Sequence, residues 1–325
     1  MKAKIGKIVS FLFPIALGLF LIVWQYNKFS ADQIKIMQGH FKNANYLYIF
    51  ISLFIALLGV ASRAYRWKFS IEQLGYKSSF YNNFMAVSAG YFINLGIPRS
   101  GEISRAIILK KYENIPFDKA FGTIVAERVV DTLLFLLFVI TAFAIEFNKL
   151  KDFIVSKIPI RNLEILFLFG LACGVTALLI WNYSKHKLVL LLKEKLSGLV
   201  EGILSIVKMK NKWAFVFHSI FIWFSYFIMF YITLFALKET SAIGVNAAII
   251  GFVFGTLAIG FTNGGFGVFP ILIAQIFTLY AIPETAGTPF GWLVWTSQTL
   301  FTILLGGISL LLLPVINKNK QKNYE

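Results

Sequence analysis

The stretch FYNNFMAVSAGYFINLGIP, residues 80–98, decides how this chain is laid out. It is apolar enough to enter a bilayer, yet Gly90, Asn94 and Gly96 interrupt it and Pro98 ends it. Proline pushes the residue before it into extended backbone and closes a helix there. A plain spanning helix needs ~20 mainly apolar residues without such breaks. A segment written this way reads as one that enters the membrane and returns on the same side.

Working outward, apolar segments recur roughly at 8–26, 45–62, 80–97, 118–145, 162–183, 213–237, 243–262, 264–282 and 288–314. Hydrophobic residues make up 58% of the 325 residues and charged residues 14%, with 35 phenylalanines. A soluble globule is nearer ~45–50% apolar and ~25% charged, so this chain cannot cover itself with polar surface. The first segment follows Lys2, Lys4 and Lys7 but lacks a small-residue cleavage pattern and runs into Trp24 and Tyr26. It reads as a retained helix with an interfacial end.

The positive-inside rule tests the layout. If all nine segments cross from a cytoplasmic N-terminus, 12 Lys and Arg fall inside and 18 outside. If 80–97 is re-entrant, 22 fall inside and 8 outside. The expectation is therefore an all-α polytopic membrane protein with about eight transmembrane helices, one or two re-entrant hairpins, and both termini cytoplasmic. Segments 243–262 and 264–282 meet at Asn263-Gly264-Gly265 with no charge between them. They are either two crossings or a second hairpin, and parity is the same for both. Residues 1–325 form one integral domain, with a cytosolic tail from about 315. The amphipathic, lysine-bearing stretches 101–112 and 186–208 are expected to lie on the cytoplasmic leaflet.

The net charge of +16 is then mostly orientation. No basic arm or RNA-binding motif accompanies it, which excludes nucleic acid as the expected partner. One cysteine, Cys173, excludes an intramolecular disulfide and a cysteine metal site, and His40, His186 and His218 are scattered. No metal, cofactor or catalytic residue is expected.

Charges inside the membrane are costly and usually pair or line a cavity. Segment 118–145 carries Glu127, Arg128 and Asp131, and only 14 uncharged residues follow, from Thr132 to Ile145. That run is too short to span ~30 Å alone, so the charged turn lies in or near the hydrocarbon. At ~100° per residue all three share one face. They are either an internal ion pair locking helices together or a cavity-facing cluster in which one acid is left for another cation.

A second constellation is INLGIPRSGEISRAIILKK, Ile93–Lys111. Ser100 or Gly101 can cap a helix starting near Glu102, whose N-terminus offers N–H groups to an anion. Arg99 and Arg105 flank it, and Arg suits phosphate. Glu102 and Arg105 share a face at i and i+3. The alternatives are a specific lipid headgroup site and arginines touching lipid phosphates without specificity. Arg63, Arg66 and Trp67 end the second helix, either as a cytoplasmic anchor or as an aid in drawing in a headgroup. Asn263, Gly264 and Gly265 sit in the turn FTNGGFGVFP, either for packing or as a second broken element facing the first. Trp292, Trp295 and Gln298 on the last helix could add lining.

Together these residues resemble the transmembrane flippase-like domain of lysylphosphatidylglycerol synthases and its stand-alone relatives. The resemblance rests on ASRAYRW, GYFINLGIPRSGEISR, the spaced set Ala120, Thr123, Glu127, Arg128 and Asp131, and a late GGFG turn. It implies a bacterial or archaeal plasma (inner) membrane protein that moves or binds phospholipids or lipid-linked sugars. It also implies that Asn94, Arg99, Glu102, Arg105, Glu127, Arg128 and Asp131 surround a central cavity. Relatives commonly read Pro-Gly-Gly-x-Gly followed closely by Glu. Here Asn263 replaces the proline and Pro270 stands near the acid position, which points to a different substrate. With no aminoacyltransferase domain after residue 325, synthesis of a lysyl-lipid is not expected.

The leading expectation is a lipid flippase or transporter that takes an anionic phospholipid or lipid-linked headgroup into a polar cavity. No GxxxxGK[ST] motif occurs, so energy would come from an ion gradient, a lipid gradient or a partner. The alternatives are a membrane enzyme using Glu102, Glu127 or Asp131 as acid or base, and an accessory scaffold for a lipid-linked pathway. Besides membrane lipid, the partners this reading allows are a second copy of the chain and a neighbouring transferase.

Overall fold

The computed structural model of the chain describes residues 16, 18–157, 160–184, 186, 189 and 208–318. The first apolar segment is described as helix over 18–26 (α1). There follow α2 (Ala31–Asn43), α3 (Tyr46–Gln73), α4 (Phe80–Gly96), α5 (Gly101–Glu113), α6 (Phe117–Lys157) and α7 (Ile160–Tyr183). The second half holds α8 (Lys212–Thr233), α9 (Val245–Phe261), α10 (Val268–Thr278) and α11 (Glu284–Ile316), with a single turn of helix at Lys238–Ser241. Four helical stretches are long and apolar enough to cross a bilayer: Tyr46–Gln73, Phe117–Ser156, Lys212–Ala236 and Glu284–Ile316. The protein is an all-α polytopic membrane protein.

α3 and α8 pair antiparallel along their length. At one end the rings of Tyr48 and Phe235 lie 5.7 Å apart, and Asn45 N–H donates to Ala236 O at 2.8 Å. At the other end Ser62 Oγ meets His218 Nδ1 at 2.8 Å, and Arg66 Nη1 donates to Ser219 Oγ at 3.1 Å. Midway, Gly59 lies against Ser225 and Tyr226.

α4 and α5 form the first hairpin. At 17 and 13 residues they reach only ~26 and ~20 Å at 1.5 Å per residue, short of a ~30 Å hydrocarbon core. Ile97, held extended before Pro98, ends α4. The arms touch where Gly90 faces Gly101, leaving no space for a side chain on either. Their bases meet again, since Glu113 Oε1 accepts from Ser79 N–H (3.0 Å) and from Asn82 Nδ2 (2.6 Å). The chain returns to the end from which it came, as read from residues 80–98. The expected surface helix at 101–112 is corrected here. α5 is the returning arm, with Arg105, Ala106, Ile108, Leu109 and Tyr112 buried, because its small and apolar positions face α4 and α6. The other stretch, 186–208, falls almost wholly outside the described residues.

α9 and α10 resolve the alternative left open for 243–282. Their 17 and 11 residues give ~26 and ~17 Å, and they pack antiparallel. Gly255 faces Phe269 and Ile273, and Gly251 faces Phe277. They are a second hairpin. Since it follows the C-terminal end of α8 while the first follows the C-terminal end of α3, the two hairpins enter from opposite ends of the bundle.

α11 runs beside both. Its first half lies on α10, with Gly287 against Ala274 and Gly291 against Pro270. Its second half lies on α4, with Gly306 against Ser88 and Phe92, and the side chains of Asn317 and Asn82 exchange two hydrogen bonds of 2.8 and 2.9 Å. Each hairpin has its own apolar core. Trp67, Met85, Leu109 and Ile124 surround the first, and Phe230, Phe252, Phe277 and Phe290 the second.

Candidate functional site

The two hairpin tips face each other across a cavity of about 710 Å³ at the middle of α11. Asn94, Leu95, Pro98, Arg99 and Glu102 come from the first hairpin, and Ile259–Gly264 with Phe266 from the second. α11 contributes Trp295, Gln298 and Thr302 among others, and α8 contributes Tyr226. Arg99 and Glu102 are the charged residues among the described lining.

Arg99 sits at φ 62°, in the left-handed region. For a residue with a side chain that conformation costs ~1–2 kcal/mol, and such strain persists where surrounding structure imposes it. The imposing elements are Pro98 before it and the start of α5 after it. Its side chain is exposed at the cavity and makes no ion pair or hydrogen bond among the described residues.

Asn94 has a role the residues alone did not suggest. Its Oδ1 accepts from Gly101 N–H at 2.7 Å, so it caps α5 across the tip. Ser100, one of the expected caps, instead donates its hydroxyl to Ile97 O. Opposite, Gly264, Gly265 and Gly267 take φ of 68°, 79° and 72°, a backbone that glycine enters without penalty. Trp295 Nε1 donates to Gly264 O at 2.7 Å and fixes this tip to α11. Asn263 and Gly264 line the cavity, whereas Gly265 packs on Ile259 and Phe269. Trp292 is not a lining residue.

The remaining candidates lie together behind the first hairpin, as a buried ion network. Asp131 Oδ1 accepts from Arg66 Nη1 at 2.8 Å, and its Oδ2 lies 3.0 Å from Arg63 Nη1. Glu127 Oε2 lies 3.3 Å from Arg105 Nη2 and 3.6 Å from Arg66 Nη2. Arg128 reaches Glu102 Oε1 at 3.3 Å and Asp131 Oδ2 at 3.5 Å. Four guanidinium groups thus meet three carboxylates, and no acid is left over. Of the two readings of Glu127, Arg128 and Asp131, the structure has the helix-locking ion pairs, extended to α3 and α5. The anchor reading of Arg63, Arg66 and Trp67 is corrected as well: relative exposures of 2%, 0% and 0% exclude them from an interface. Trp67 stacks under Arg105, whose guanidinium is 4.1 Å from the ring centroid, and donates Nε1–H to Thr123 Oγ1 at 2.9 Å.

Glu102 alone belongs to both groups, lining the cavity and pairing with Arg128. Glu102 and Arg105, neighbours on one helix face, are directed to different partners. Between network and cavity stand Tyr91 and Tyr226, whose hydroxyls are 3.0 Å apart, with Arg63 6.0 Å from the Tyr91 ring. Neither tyrosine was a candidate. Tyr226 lies in an aromatic run without local punctuation, so only the pairing of α3, α4 and α8 could reveal it.

The sequence model of the family described as Lysylphosphatidylglycerol synthase TM region matches residues 11–307. The chain belongs to this family. A UPF0104 membrane protein of Methanocaldococcus jannaschii is 29% identical, over 99% of this chain and 100% of that one. No solved structure matches the chain. The family match embraces both hairpins, the ion network and the cavity. It is a match to a membrane region.

Proposed function

We propose that the protein is a lipid transporter of the flippase type, acting in the plasma (inner) membrane on an anionic phospholipid or a lipid-linked headgroup without altering it covalently. The observation that carries this reading is the unpaired Arg99, held at a broken helix tip inside a mid-bundle cavity. Irregular backbone at membrane depth is tolerated where it lines a cavity, and broken helices entering from opposite sides are a transporter device. An anionic headgroup supplies the charge that Arg99 lacks, while the apolar wall of Phe230, Phe252 and Phe269 accommodates the adjoining chain. Asn94, Glu102, Asn263 and Gly264 would contact the headgroup. Arg63, Arg66, Arg105, Glu127, Arg128 and Asp131 would act one layer back, holding the hairpin that carries Arg99.

Purified protein in vesicles with fluorescent phosphatidylglycerol should move the lipid between leaflets, and Arg99→Ala should slow it at least tenfold. A wild-type rate equal to that of empty vesicles, or an unaffected variant, refutes the proposal.

A further inference from the structure

The buried network does not balance. Arg63, Arg66, Arg105 and Arg128 meet Glu102, Glu127 and Asp131, so among the described residues one positive charge is left over. The side chains of Arg63, Arg66 and Arg105 are no more than 3% exposed, and a charge buried without its counter-charge is penalised heavily. The hydrogen bonding is unbalanced in the same direction. Arg63 Nε and Nη1, Arg66 Nε, Arg105 Nε and Nη1, and Arg128 Nε are buried and make no hydrogen bond among the described residues. Against these donors stands a single carboxylate oxygen, Glu127 Oε1. Buried polar groups are nearly always satisfied, so such a concentration of donors marks a place for water or an ion. Water would take up the donors and leave the charge, whereas a small anion takes up both.

The surplus concentrates on Arg63 and Arg105. Arg66 spends its Nη groups on Asp131 and Ser219, and Arg128 is 39% exposed. Arg105 donates to Glu127 through Nη2 alone. Arg105 and Arg63 lie against consecutive residues of α4. A Cβ on Gly90 would be 2.9 Å from Arg105 Cγ, and the Tyr91 ring is 6.0 Å from Arg63 Cζ. Tyr91 and Tyr226 add a donor, since one hydroxyl of the pair gives its proton to the other and the second keeps its own to offer. Trp67 covers the face of Arg105, which leaves its in-plane N–H edge on offer, the edge that suits an anion.

We infer that the network holds a small monovalent inorganic anion, a halide, between Arg63 and Arg105 beside Gly90 and Tyr91. The anion neutralises the fourth arginine and completes the structure that holds the first hairpin. The site lies behind the Tyr91–Tyr226 pair, apart from the cavity, and does not depend on what the cavity carries.

Thermal unfolding of the full chain in detergent, titrated with chloride against gluconate at constant ionic strength, tests this. The midpoint should rise saturably with chloride by at least about 3 °C, as binding to the folded state requires, and bromide should replace chloride. Glu127→Gln, which leaves the network one charge more positive, should tighten the apparent halide affinity at least threefold. Arg105→Gln, which removes the surplus, should abolish the saturable rise. A purely structural role of these side chains would not move the halide response in opposite directions. If either variant fails to fold, anomalous scattering from wild-type crystals grown in bromide decides, with a peak expected within hydrogen-bonding reach of Arg63 and Arg105. An equal response to chloride and gluconate, a rise that never saturates, or a bromide peak elsewhere overturns the inference. So does loss of the bromide peak on adding phosphatidylglycerol, which would make a lipid phosphate the occupant. Lipid movement in vesicles tests transport separately, and neither result decides the other.

Discussion

The two hairpins perform the same geometric task by different means. The first is held by charge and hydrogen bonds: Arg105 to Glu127, Glu102 to Arg128, and Asn82 to both Glu113 and Asn317. The second carries no charge from Val245 to Thr278 and is held by shape, glycines admitting phenylalanines and a proline at Gly251, Gly255 and Gly291. The contrast teaches where the protein places its charge. The first hairpin must present Arg99, and anchoring an arginine tip in apolar surroundings calls for a buried counter-structure. The second presents only amide, hydroxyl and backbone groups, and at its tip Thr262 Oγ1 accepts from Gly265 N–H while Trp295 donates to Gly264 O.

The largest effect expected of this contrast is on the charged side. Asp131→Ala leaves Arg63 buried without a carboxylate and Arg66 with Glu127 alone at 3.6 Å, and removal of one member of such a group costs ~3–5 kcal/mol. Thermal unfolding in detergent should show that loss; a change like that of a surface substitution would mean that the network contributes little to the fold. Next comes the shape-held side. In Gly291→Ala the new methyl would lie 2.5 Å from Pro270 Cα, and relieving such overpacking costs ~1–3 kcal/mol. Hydrogen exchange should quicken in 262–278 and stay unchanged in 80–113, and the converse would break the distinction between the hairpins. The smallest stability effect belongs to Arg99→Gly. Relief of the left-handed backbone offsets the added freedom of the unfolded chain, so stability should stay within ~1 kcal/mol. Binding of phosphatidylglycerol should nevertheless fall at least tenfold, separating the ligand role of Arg99 from any role in folding.

Much of this architecture was legible in residues that act locally. Pro98 and the glycines before it announce a broken helix because their effect on backbone is intrinsic, and the lysine and arginine count requires 80–97 to return. Glu127, Arg128 and Asp131 were identifiable as a face because helical spacing alone brings them together. What they meet was not. Arg63 and Arg66 follow an apolar run in a basic and aromatic pattern that usually marks a helix end at an interface, but α3 runs on to Gln73, and only its packing on α6 and α8 shows them buried. The surface reading of 101–112 failed for a related reason, since lysines at the end of a helix look the same on a leaflet as at the base of a hairpin. Asn94 needed the tip to fold back before it could cap α5.

The sequence by itself therefore determined the membrane class, the position of the breaks and the identity of the charges that hydrocarbon would otherwise exclude, because those follow from hydropathy, proline and glycine geometry, and helical period. Tertiary structure decided that 243–282 is a second hairpin and that seven of the candidates, four arginines and three carboxylates, pair with one another behind the cavity. It also decided that Arg99 is left facing the cavity without a counter-charge. Pairing between distant helices sets which charges are satisfied, and no local pattern in the chain records it.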